Sequence, residues 1–74
     1  MRKNIYLVTV ARNNEIVFTK AFRSQFDARE CADRHAEDYE FNGMRINNSV
    51  PGLYEMSDGV GNEVCITIEK IVLV

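Results

Sequence analysis

The side chains with the most chemical potential in these 74 residues are two cysteines, Cys31 and Cys65, and a single histidine, His35. Cys31 and His35 are four positions apart, so on a helix they share a face, as a metal-ligand pair or a thiol and imidazole dyad would need. Neither chemistry is completed. A structural zinc site takes four ligands, commonly two of them from a close-set cysteine pair, and the chain has no such pair. A nucleophilic thiol must be exposed and activated, whereas the apolar pattern around Cys31 and His35 puts both on the core side of their helix. Asp33 and Glu37 form a possible carboxylate pair, but no pocket is evident that would raise one pKa and make it an acid. Gly59-Val60-Gly61 lacks the third glycine and the strand-to-helix setting of a dinucleotide fingerprint. The residues therefore point to no catalytic centre, no metal and no cofactor.

Charge offers more than nucleophiles do. From Asp27 to Glu40 six acids stand against two arginines, in a chain whose net charge is -2. At about 100° per residue, Glu30, Asp33, Glu37 and Glu40 fall within an arc of roughly 80°, forming an acidic ridge about 15 Å long on the outer side of a helix. A solvated helix face with ordinary i,i+4 pairs, Glu30 to Arg34 and Arg34 to Asp38, accounts for part of this. It does not account for acids near the helix C-terminus, where the dipole favours cations. A basic protein surface is the partner such a ridge suits.

The elements that position these groups can be read in order. Residues 4 to 11 and 15 to 22 are rich in β-branched and aromatic types, and Asn13-Asn14 between them suits a two-residue hairpin turn. With that turn Arg12 pairs with Glu15, Val10 with Val17 and Ile5 with Phe22. Ser24 is a helix N-cap, with Asp27 in capping-box position, so the helix starts at Gln25. Its apolar stripe is Ala28, Cys31, Ala32, His35, Ala36 and Tyr39, and Asn42-Gly43 ends it. Residues 44 to 52 read as an ordered loop containing a Pro51-Gly52 turn, followed by a strand over Leu53 to Ser57, a glycine-rich tip and a long strand over Glu63 to Val72. One α+β domain over residues 1 to 74 results, ββαββ, with a four-stranded antiparallel sheet and the helix on one face.

The alanine-rich helix is expected to cover Ile5, Leu7, Ile16, Phe18 and Phe22, with Lys20 snorkelling outward. Tyr6, Val8, Val10 and Val17 are then left on an open apolar face suited to homodimerisation, helped by the exposed β-branched segment from Ile71 to Val74. Arg2, Lys3, Arg12, Lys20, Arg23 and Arg45 are dispersed, which argues against nucleic-acid binding despite Tyr6 as a stacking candidate. There is no bilayer-length apolar run and no secretory signal pattern, and two cysteines suit a reducing cytoplasm. The expectation is a non-enzymatic interaction module, a small homodimer that binds or inhibits a partner protein. Phage or mobile-element accessory proteins that block a basic, nucleic-acid-binding surface are the analogy of size and charge. The alternatives are a small nucleic-acid-binding domain and, after it, a small metalloprotein.

Overall fold

In the computed structural model, which describes residues 3 to 73, one helix packs on a five-stranded antiparallel sheet. Asn13 and Asn14 take φ of 52° and 67°, and this left-handed pair turns β1 (Lys3–Arg12) into β2 (Glu15–Phe22). Ser24 then caps α1 (Gln25–Phe41), its Oγ accepting the Asp27 N–H at 3.3 Å. At the other end Gly43, at φ 96°, lets the Met44 N–H reach the Tyr39 carbonyl at 3.0 Å, closing a Schellman cap.

Beyond the helix the sequence-based expectation needs correcting, because residues 44 to 52 are not a loop. Arg45–Val50 form β3, which pairs through the Pro51-Gly52 turn with β4 (Leu53–Ser57). All six β3 residues are exposed, so the strand lacks the apolar alternation that marks a half-buried strand. It exists because it completes the ladder to β4. β5 (Glu63–Leu73) follows, and the sheet order is β2-β1-β5-β4-β3. The two hairpins thus lie on opposite sides of β5's ladder, and α1 must cross one face to carry the chain from one edge to the other.

The helix crosses the face of Val8, Val10 and Ile66, and one residue brings β2 into line with that face. Arg12 pairs with Glu15 and Ala11 with Ile16 as the turn dictates, but Val10 then pairs with Phe18 and Tyr6 with Phe22. Val17 is therefore an extra residue in a β-bulge. The slip moves Phe18, Lys20 and Phe22 onto the face of Tyr6, Val8 and Val10, since a one-residue shift exchanges sides. Val8 and Val10 are completely buried under the helix, with Val64, Ile66 and Met56 beside them and Ala28, Ala32 and Ala36 above. The alanine stripe lets helix and sheet approach closely, and Cys31, Tyr39, Phe18 and Phe22 close the rim.

The face expected to be open is consequently the covered one. Tyr6 is half-buried against the core and Val17 is exposed at the bulge, so Tyr6, Val8, Val10 and Val17 form no shared surface patch. Ile5, Leu7 and Ile16 lie on the bare side instead. Of the basic residues weighed for nucleic acid, Arg2 falls outside the described residues, as does Val74 of the C-terminal segment.

Candidate functional site

Cys31 and His35 project from α1 toward β2, where they line a hollow of about 460 Å³ with Lys20, Phe22 and Arg34. The His35 ring packs at 4.3 Å on Phe18, tilted by 46°, which makes it a rim residue of the core. Burial pushes the Cys31 thiol above its ordinary range, against the pull of Lys20 and Arg34, the reverse of an activated thiolate. Cys65 pairs with Ala11 on the bare side of the sheet, where burial and the Glu55 charge also raise its pKa. The sheet thus separates the two cysteines. No group of three or more metal-ligating side chains occurs among the described residues.

The glycine-rich tip between β4 and β5 is held by its own acid. Asp58 Oδ1 accepts the N–H groups of Val60 at 2.9 Å and Asn62 at 3.2 Å, and Oδ2 accepts the Asn62 amide at 2.6 Å. These donors, the Asn62 side chain foremost, hold the Asp58 carboxyl below its ordinary range. Asn13 ties the tip to the first hairpin, donating its backbone N–H to the Glu63 carbonyl at 2.8 Å. The segment is a structural turn.

All four acids of the ridge, Glu30, Asp33, Glu37 and Glu40, are exposed on α1. Glu30 accepts from Arg34 at 3.0 Å, the only ion pair among the described residues. Asp33 is held differently, by the hydroxyl of Tyr54, which reaches up from β4 and donates to Oδ1. That bond raises the Tyr54 pKa, and the charges of Asp33, Glu37 and Glu40 raise it further, so three carboxylates act on this one phenol. The carboxylates of Glu37 and Glu40 have no ion-pair or hydrogen-bond partner among the described residues.

Two residues that charge patterning alone does not reveal complete this surface. Phe26 is 72% exposed and Phe41 is 92% exposed, one at each end of the helix. Taking Phe26 as zero, a helical wheel at about 100° per residue puts the four acids between roughly -40° and +40° and Phe41 near +60°. Both rings therefore flank the ridge, about 22 Å apart at 1.5 Å per residue. The signal in the sequence is their phase: they are apolar residues lying off the alanine stripe, Phe26 about 120° and Phe41 about 180° from its centre at Ala32.

In comparisons with known proteins, the chain matches no protein-family model, no curated protein and no solved structure.

Proposed function

We propose that this chain is a non-enzymatic protein-interaction module whose outer helix face docks on a basic surface of a partner protein. The observation that carries the reading is the pair of exposed rings, Phe26 and Phe41, bracketing the acidic ridge. Burying two phenylalanines supplies the apolar anchors that dominate binding energy, while the carboxylates between them supply charge complementarity and steering. An isolated acidic helix would need neither ring. Acids next to the helix C-terminus, where no basic residue offsets the dipole, add to the argument. The raised Cys31 thiol and the separation of Cys31 from Cys65 support the non-enzymatic part.

A surface that accepts this ridge has the same sign of charge as one that holds nucleic-acid phosphates, so inhibition by occupying such a surface is the mode of action we favour. Affinity capture coupled to mass spectrometry tests the reading. The wild-type chain should enrich a basic partner whose retention falls steeply with salt. Retention should be lost separately in two variants, one carrying Phe26→Ser with Phe41→Ser and the other reversing ridge charge through Asp33→Lys with Glu37→Lys. Retention of the partner at the wild-type level by both variants would contradict the proposal.

A further inference from the structure

The bare face of the sheet is the second surface without a cover. Side-chain alternation places Ile5, Leu7, Thr9, Leu53, Thr67 and Ile71 on it, through the pairs Ile5 with Ile71, Thr9 with Thr67 and Leu53 with Thr67. A water-facing side of an antiparallel sheet is normally polar; this one is aliphatic and threonine-rich, with Glu69 as its central charge opposite Leu7. The molecule is also extended, with more surface than a compact chain of its mass. The chain exposes 5496 Å², against about 4,650 Å² for a compact monomer of 8.5 kDa. The excess, roughly 800 Å², is what one partner contributes to a standard interface. Its radius of gyration is 12.9 Å, compared with about 11 Å for a compact domain of this length.

We infer that a second copy of this chain covers this face, and that the two sheets pack around a two-fold axis running across the strands. The choice of occupant and of axis comes from charge. Lys3 and Arg23 stand at one end of the bare face, beside Ile5 and Leu73. Glu55 and Glu63 stand at the other, beside Ala11 and Cys65, with Arg45 farther out opposite Ser57. The face thus carries Lys3 and Arg23 at one end and, Arg45 apart, Glu55 and Glu63 at the other, with Glu69 between them. Two identical faces meeting with a two-fold axis along the strands would oppose like ends. With the axis across the strands, the basic end of each copy meets the acidic end of its partner, and the Leu7 and Thr9 rows meet near the middle. Such an isologous contact is self-complementary. The product is a helix, sheet, sheet, helix sandwich with about 10 Å between the sheets, which displays two acidic ridges on opposite outer surfaces.

Sedimentation velocity on the full chain at micromolar concentration should give a species of twice 8.5 kDa. Thr9→Lys with Thr67→Lys should yield a folded monomer, its circular dichroism unchanged. An acidic variant, Lys3→Glu with Arg23→Glu, and a basic variant, Glu55→Lys with Glu63→Lys, should each dimerise about 100-fold more weakly, since like charges then face each other. Mixing the two should restore the dimer as a heterodimer. A wild-type monomer would overturn the inference, as would a dimer indifferent to both variants or an acidic and basic mixture that stays monomeric. The inference does not depend on the helix-face reading: Phe26→Ser with Phe41→Ser should abolish partner capture and leave the dimer intact.

Discussion

Tyr54 is the residue through which the ridge is tied to the sheet. Its neutral hydroxyl donates to Asp33, and the carboxylates around it oppose its ionisation, so its folded pKa lies above the ordinary value of 10.0. A raised pKa stabilises the fold fully below the unfolded value, and that contribution is lost as pH rises through the folded one. Alkaline titration followed by circular dichroism should therefore show stability falling from about pH 10 upward. Tyr54→Phe should cost on the order of 1 kcal/mol at neutral pH, as for one hydrogen bond, and should flatten that alkaline fall. An unchanged alkaline profile in the variant would mean that ionisation of Tyr54 does not drive the fall. Asp58 behaves with the opposite sign: its lowered pKa gives stability that is present above the ordinary carboxyl value and is lost at lower pH.

At the scale of elements, the bulge at Val17 and the strand Arg45–Val50 separate what the sequence makes legible from what it does not. The first hairpin, the N-cap at Ser24, the helix span, the glycine cap and the last two strands follow from turn chemistry and periodicity, and all are present. The acidic ridge is legible for the same reason, since helical phase is fixed by the alanine stripe. The bulge is not written in residue types, because Ile16-Val17-Phe18 suits either register and only packing against the helix decides it. Deleting Val17 should restore a regular ladder with Phe18 still opposite Val10, so the variant should fold with its melting temperature within a few degrees of wild type. If β2 paired without a bulge, the same deletion would turn Phe18 and Phe22 out to solvent and lower stability by several kcal/mol. The end of the helix offers a second check. Glu40→Lys should stabilise the free chain by about 0.3 to 1 kcal/mol through the helix dipole, while weakening partner binding. A solvated face with no role would show the gain in denaturant unfolding without the loss.

At the scale of the whole molecule, one helix serves a sheet with two faces, and its route from one edge to the other leaves the opposite face bare. The elongated body, 47 by 20 by 17 Å, is a two-layer unit whose acidic helix and aliphatic sheet point in opposite directions. Among the described residues no helix is long and apolar enough to cross a membrane. The proposed docking surface is the helix face. Hydroxyl-radical footprinting of the captured complex tests it most directly, because aromatic rings oxidise readily when exposed, and Phe26 and Phe41 are exposed in the free chain. Both rings should be protected several-fold on binding, while Val60, on the exposed tip between β4 and β5, keeps its free rate. Phe26 and Phe41 oxidising in the complex as fast as in the free chain would contradict the account.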